Sequence, residues 1–495
     1  MRARLLFALA AVLLAPAGRP ASARERGVST PLSDRLARRV ASAGVKAGKL
    51  GLCVVSLETG AVVAEAGSAT PLVPASVAKV VTAAAALDLL GPGWTYETSV
   101  DAYGTFDGAT GRLEGDLVVH GSGDPNLSRR GHEGDPMWPL STLAQGVAAR
   151  GVRSVSGALV LDDAPFDRVF VHPSWSADDL SRWYGAPVGG LSFNDSCVSV
   201  TVRGAAEPGE PARLEFPSSS GPWPVVNASV TSAAGRPDVD GVWIDGRTRL
   251  RVEGSEPARV PYTFEKPVPD PLAWFGSAFL EALRRAGVAV AGGVAAAAAP
   301  PAQVEPCGGS RLAVVSSGLP ATLRVMNKKS QNFYASLVFK ACGAAREGVG
   351  SWEAGGRAVV ASLARRGIAD PGLRLVDGSG LSDDNRLTAS ALARLLASFD
   401  GDVLRGPVLR DSLAVPGEDG TLHKRLTDPK QRDAALRARV HAKTGTLKGV
   451  HSLVGYVDGR EGARGYAFAV LLNASPADGD PKGLIDDLVR ELLVE

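Results

Sequence analysis

Hydrophobic and polar positions change rhythm along this chain several times. Leu32, Leu36 and Val40 fall four apart, which predicts a helix over Pro31 to Val45 with one apolar face. Two short apolar-rich runs follow, Leu50 to Leu57 and Ala61 to Ala66. They flank Glu58-Thr59-Gly60, so they predict a hairpin. Ser76 to Leu90, rich in Ala, Val and Leu, reads as a helix stopped by Gly91-Pro92-Gly93. From about Trp94 to Cys307 the pattern turns to short β-like runs, such as Leu117 to Val119 and Val198 to Val202. Gly/Pro/Ser clusters punctuate them, among them Gly121-Ser122-Gly123-Asp124-Pro125 and Pro217 to Gly221. The alanine-rich stretch Ala295 to Pro301, low in complexity, marks the return to mixed helical and strand patterns. Helices are predicted over Lys328 to Lys340, Trp352 to Arg366 and Thr388 to Phe399, and strands over Ala438 to Lys443, Val450 to Val457 and Tyr466 to Leu472. Leu484, Leu488 and Leu492 line one side of a last amphipathic helix, Leu484 to Val494. Its polar face carries Asp486, Asp487, Glu491 and Glu495, which favours packing on a sheet over an anionic lipid surface.

This pattern divides the chain into a first domain of 24–98 and 308–495, interrupted by a mainly β insertion over 99–307 of two small domains. A chain of 495 residues is long enough for two or three cores. Lys plus Arg number 54 and Asp plus Glu 52, a balance that argues against a nucleic-acid partner. The N-terminus reads as an export signal over 1–23. Arg2 and Arg4 precede the apolar stretch Leu5 to Ala17, and Ala21-Ser22-Ala23 offers small residues for cleavage. No later segment approaches the ~20 apolar residues of a spanning helix, so an exported protein without a stable membrane span after signal cleavage is expected, with an uncleaved N-terminal membrane anchor as the alternative. Cys53, Cys197, Cys307 and Cys342 permit two disulfides in three pairings, against buried free thiols as the other reading.

Three short motifs carry the chemistry. Ser76 and Lys79 stand three apart at a predicted helix start, close enough to touch. A serine hydroxyl needs a base before it can attack. An ordinary lysine is protonated at neutral pH, but burial or a second cation lowers its pKa. Lys443 is the candidate second cation. Ser330 of Ser330-Gln331-Asn332 could relay a proton, and Asn332 offers both donor and acceptor atoms to a substrate amide. In Lys443-Thr444-Gly445-Thr446, Gly445 allows close backbone approach. A ligand could pair along this strand, its carboxylate met by Lys443, Thr444 and Thr446. The N–H groups of Ser76 and Thr446 are candidates for an oxyanion hole. Each motif alone has a bland reading, respectively a chance pattern on a helix, an N-cap serine and a polar edge strand. The six histidines form no HExxH pattern, and there is no GxSxG elbow, P-loop or GxGxxG fingerprint.

Taken together the motifs resemble those of the penicillin-binding serine D-Ala-D-Ala peptidases of low molecular mass, class C. This is the peptidase S13, or penicillin-binding-protein-4-like, D-alanyl-D-alanine carboxypeptidase/endopeptidase family. Pro74 to Lys79, Met326 to Asn332 and Lys443 to Thr446 look like its three motifs. Further family-like stretches are Gly121 to Pro125, Tyr184-Gly185-Ala186-Pro187, Asp377 to Ser382 and Gly420-Thr421-Leu422. The gap of roughly 250 residues between the first two motifs also fits. One departure is Gln331, where the family usually has Asp.

The resemblance implies a β-lactamase/DD-peptidase-like α/β (α+β) transpeptidase domain with an antiparallel sheet flanked by helices. It implies Ser76, Lys79 and Ser330 as catalytic residues, with Asn332, Lys443, Thr444, Gly445 and Thr446 binding substrate. Asp179, in the insertion, is offered to the free amine of the peptide side chain. The implied substrates are peptidoglycan stem peptides and cross-links, cut through an acyl-enzyme on Ser76. β-Lactams are implied as covalent inhibitors, and no metal or organic cofactor is implied. The competing readings are a β-lactamase and an inactive wall-binding protein. Against the first, no Glu-x-x-x-Asn lies between Asn332 and Lys443, and Tyr-x-Asn does not replace Ser330-Gln331-Asn332.

Overall fold

The computed structural model describes residues 31–494 except 47, 132–133, 220, 258–259, 298–310, 428–437, 461–462 and 475–479. The signal expected over 1–23, Cys307 and most of Ala295 to Pro301 lie outside the described residues.

The two ends of the chain build one antiparallel sheet. Its strands run in the order Val440–Leu447, Val450–Val457, Tyr466–Leu472, Leu50–Ser56 and Val62–Ala66. The Leu50–Ser56 strand is buried along its whole length, because one face meets a helical layer and the other meets the two terminal helices. Leu32–Ser42 and Pro481–Leu493 cover that second face. Leu36, Ile485, Leu488 and Leu492 pack there with Leu52, Val54, Phe468 and Val470. The acidic face of the last helix is occupied by basic partners: Glu491 meets Arg35 (3.1 Å) and Arg39 (2.9 Å), and Asp486 meets Arg425 (2.8 Å). Sheet packing is thus the fate of this helix. Among the described residues, no helix is long and apolar enough to cross a membrane.

The helix Ala389–Asp400 lies on the opposite face, and behind it, among further helices, lies Ala78–Leu89, whose residues 78 to 87 are all buried. Apart from Lys79, Thr82 and Asp88, Ala78–Leu89 is apolar all round, as expected of a helix enclosed by others. Its alanines combine high helix propensity with side chains small enough to let Asn332–Glu347 and Trp352–Arg365 pack close. It ends at Leu90, and Gly91 turns the chain away with φ 87°.

Between 95 and 318 lies a second core around Leu117, Phe193, Val200, Trp274 and Phe279. A seven-stranded sheet includes Thr95–Asp107, Arg112–His120 and Arg311–Gly318. Two three-stranded sheets contain Cys197–Arg203 with Tyr262–Pro267, and Asp238–Ile244 with Arg249–Pro257. Two helices, Trp138–Ala149 and Pro271–Arg285, join them.

Two expectations need correction. The helix predicted over Lys328 to Lys340 is two helices, Leu319–Lys328 and Asn332–Glu347, broken by Ser330 in the left-handed region (φ 57°). The strand predicted to end at Lys443 runs from Val440 through the whole Lys443 to Thr446 motif. Of the two readings of the cysteines, the described ones follow the second: Cys53, Cys197 and Cys342 are buried free thiols. Burial in apolar surroundings disfavours their thiolates, raising Cys53 to about 11 and Cys342 to about 12.

Candidate active site

The three motifs converge where the buried helix begins. Ala75–Val77 forms a single 3₁₀ turn that leads into Ala78–Leu89. Ala75 is held at φ 51° and fully buried, a strained conformation for a residue other than glycine. The turn fits because Gly380 packs on it: a Cβ on Gly380 would lie 1.9 Å from the Ala75 carbonyl oxygen. Ser76 itself is half-buried, so its hydroxyl is not sealed inside the protein.

Lys79 is fully buried. Its ammonium donates to Ser76 Oγ at 2.9 Å, Asn332 Oδ1 at 2.7 Å and the Ser379 carbonyl at 2.6 Å. Burial lowers its pKa to about 7, against an opposing pull from the Asp377 carboxylate. Neutral lysine is therefore abundant near neutral pH, which an exposed lysine would not allow. Lys443, also fully buried, donates to Ser330 Oγ at 2.9 Å and the Thr444 carbonyl at 2.7 Å. Burial, and then proximity to Lys79, pushes its pKa well down.

Ser330 reaches Lys443 because of the helix break. The Gln331 N–H donates to the Met326 carbonyl at 3.0 Å, closing a tight turn that swings Ser330 toward the sheet. Asn332, at the start of the next helix, bridges the cleft by accepting from Lys79 and donating to the Tyr184 carbonyl at 3.0 Å.

The Val440–Leu447 strand forms the sheet edge beside this cluster. Gly445 fits tightly there, since a Cβ would come within 2.7 Å of the Pro74 carbonyl and 3.2 Å of the Ser76 nitrogen. On its outer side the strand pairs with Ala414 at Ala442. Beyond that point, among the described residues, no strand covers the edge. Thr444 Oγ1 donates to Thr421 Oγ1 at 2.8 Å, and Thr446 is exposed.

Asp179 stands at the rim rather than in the cluster. It accepts from Ser176 Oγ at 2.6 Å and hydrogen-bonds the Tyr184 side chain, whose backbone carbonyl holds Asn332. Among the described residues, no three His, Cys, Asp or Glu side chains converge as a metal site.

Two supporting groups have no counterpart among the residues expected from sequence. Asp377 is fully buried, and its carboxylate accepts from the N–H groups of Ser379 (3.0 Å), Gly380 (2.6 Å) and Ser382 (2.8 Å) and from Trp175 Nε1 (2.8 Å). It thereby shapes the loop that aims the Ser379 carbonyl at Lys79. The stretch is family-like in sequence, but nothing in it marks a carbonyl as a lysine partner. The second group is Arg130. With the Gln331 amide oxygen turned toward it, the Arg130 guanidinium donates at 2.5 Å from Nη2 and at 3.1 Å from Nε and Nη1. Arg130 Nε also donates to Asp195 at 2.5 Å. Asp195 sits in a run of three left-handed residues, Asn194 to Ser196. Where the family usually places a carboxylate, this chain has a neutral amide, and the carboxylate meeting Arg130 comes from Asp195.

This geometry matches what is found in known proteins. The profile of the D-Ala-D-Ala carboxypeptidase 3 (S13) family matches residues 32–491. The chain belongs to that family. It is a serine-type D-Ala-D-Ala carboxypeptidase, a hydrolase. It is 35% identical to the D-alanyl-D-alanine carboxypeptidase of an Actinomadura species, over 86% of this chain and 77% of that protein. It is 27% identical to the D-alanyl-D-alanine carboxypeptidase DacB of Haemophilus influenzae, over 86% and 85%. The crystal structure of penicillin binding protein 4 from Haemophilus influenzae superposes with a TM-score of 0.73 at 26% identity, covering 93% of this chain and 99% of that one. That Haemophilus protein has also been solved complexed with a β-lactam. The fold expected from the motifs, a DD-peptidase-like α/β domain, is the fold observed.

Proposed function

We propose that Ser76 is the nucleophile and Lys79 its base. The observation that carries this is the 2.9 Å contact between a half-buried hydroxyl and a buried lysine with a pKa of about 7. In the first step neutral Lys79 takes the Ser76 proton while Oγ attacks the carbonyl of a terminal D-Ala-D-Ala amide. The oxyanion forms against the N–H groups of Ser76 and Thr446. The C–N bond then breaks, and D-alanine leaves with a proton passed through Ser330, which is bonded to Lys443. In the second step water, deprotonated toward Lys79, hydrolyses the ester and restores Ser76.

The substrate backbone lies along the open edge of Val440–Leu447 as an added strand. Lys443, Thr444 and Thr446 meet the terminal carboxylate, Gly445 allows close approach, and Asn332 holds the amide of the penultimate residue. Asp179 at the rim receives the free amine of the stem peptide. With a second stem peptide as leaving group, the same steps cut a peptidoglycan cross-link. β-Lactams acylate Ser76 by the same attack on their ring amide. The protein acts outside the cytoplasm after removal of 1–23, and 99–307 is an insertion into the catalytic domain.

Incubation with purified muropeptides followed by mass analysis tests the reading. Loss of one D-alanine or conversion of dimers to monomers supports it. Unchanged muropeptides with rapid turnover of benzylpenicillin favour a β-lactamase.

A further inference from the structure

A groove of about 590 Å³ is lined in part by residues that immediately precede Tyr184 in sequence. One wall is the segment Ser181 to Trp183, which continues into Tyr184, the carbonyl partner of Asn332. The other wall comes from the starts of two strands in the middle of the chain, Asp238–Ile244 and Tyr262–Pro267. The groove therefore joins the rim of the active site to the β-rich region that the mechanism above does not use.

Its lining is unusual in two respects. Large aromatic rings face solvent from both walls: Trp183 is 41% and Tyr262 39% exposed. Trp183 is braced edge-on by Tyr184 at 5.7 Å, which orders its ring at a site where burial does not. Two groups of opposite charge, Arg182 and Asp238, are both exposed, and among the described residues neither has a side-chain partner. Their neighbours do pair, Arg129 with Glu265 and Lys266 with Asp240. Surface ion pairs gain little, so nothing forces the free pair together. They are left available to a ligand.

We propose that this groove binds the glycan strand of peptidoglycan, a subsite separate from the one that binds the scissile peptide. This rests on the D-Ala-D-Ala peptidase reading above. A pyranose ring has C–H groups on its faces and hydroxyls around its edge. Flat aromatic side chains cover the faces, while Arg182 and Asp238 can hydrogen-bond hydroxyl and acetamido groups. The volume lies within the range of small-ligand sites, enough for a few sugar units. The position is also apt, because a stem peptide reaching Ser76 is tethered to a glycan that must lie near the rim. The subsite adds affinity for the polymer through linked binding, without touching the reacting atoms.

The test uses the full chain carrying Ser76→Ala, so that bound polymer is not cut, with purified sacculi as probe. Tyr262→Ala and Arg182→Ala, each added to that protein, are expected to weaken sacculus binding roughly tenfold. Tyr262→Trp, which keeps a flat ring, is expected to bind as before. With Ser76 intact, the same variants should turn over a short soluble D-Ala-D-Ala peptide within about twofold of the unsubstituted protein, a margin of about 0.4 kcal/mol. Glycan strands stripped of stem peptides should compete for sacculus binding. Unchanged binding in both alanine variants would overturn the proposal, as would a Tyr262→Trp loss as large as that of alanine. Competition by free stem peptides but not by stripped glycan would overturn it too. Failure of the unsubstituted protein to cut the short peptide would instead count against the peptidase mechanism.

Discussion

Lys79 Nζ and Asn332 Oδ1 stand 2.7 Å apart although 253 positions separate them in sequence. That contact ties the first motif to the second. Through the Asn332 amide it also ties the base to Tyr184, on the rim where substrate enters. Lys79 is thus oriented by three acceptors while its charge is penalised by burial. The same residue should govern how rate and stability depend on pH.

Only neutral Lys79 can accept the Ser76 proton. Its pKa is lowered to about 7, so the rate of acylation by a penicillin should rise as pH rises through about 7 and level off above it. Lys79→Arg places a permanent cation there and should lower acylation by about 10²–10⁴-fold. Stopped-flow acylation across pH 5–9 checks both.

The stability linkage has a definite sign. Lys79 binds its proton more weakly folded than unfolded, where lysine titrates near 10.4. Between about pH 7 and 10 the unfolded chain holds more protons at this site, so stability should rise with pH across that window. Lys443, also depressed, adds in the same direction. In Lys79→Met the gain between pH 7 and 10 should be smaller, as read by denaturant unfolding at a series of pH values.

Asp377 pulls the Lys79 pKa upward while anchoring the 377–382 loop. Asp377→Asn should therefore move the acid limb of the acylation profile to lower pH. The plateau should also fall, because the Ser379 carbonyl loses its support. A plateau loss with an unmoved limb would separate the loop from the charge.

Ser330 combines a left-handed backbone with a hydroxyl on Lys443. Ser330→Gly keeps the backbone at no steric cost and removes the hydroxyl. Its melting temperature should stay close to that of the unsubstituted protein, while deacylation and peptide turnover fall roughly 10²-fold. Equal loss in stability would mean that the turn, and not the hydroxyl, was needed.

Arg130 joins Gln331 to Asp195, whose side chain is only 7% exposed. Arg130→Ala leaves that carboxylate buried without its partner and should cost about 3–5 kcal/mol of stability. Gln331→Asp, the residue usual in the family, presents a second acceptor to the same guanidinium and should leave peptide turnover within a few-fold. Thermal melts and turnover of a short peptide measure the two effects.

The sequence made legible those features that rest on local pattern. The hairpin of Leu50–Ser56 with Val62–Ala66, the helix stopped at Gly91 and the amphipathic last helix follow from periodicity and turn residues, and all three are present. The motifs named the side chains that meet in the cleft. What stayed hidden is non-local or against propensity. Ser330 has ordinary helix-compatible neighbours, and only the pull of Lys443 and the Met326 turn explains the break. The Ser379 carbonyl is a backbone atom, which no residue type announces. Arg130 and Asp195 are 65 positions apart, and Gln331 is 201 positions beyond Arg130, so no spacing rule connects them. An even cysteine count left pairing and free thiols open together, and the described Cys53, Cys197 and Cys342 are buried and act as small apolar side chains.

The most direct test of the central claim is mass spectrometry of the protein after exposure to a penicillin, with the adduct mapped to a peptide. One adduct per chain is predicted, on the peptide containing Ser76, absent in Ser76→Ala and formed far more slowly in Lys79→Arg. An adduct on another residue, or none on a folded protein, would contradict it.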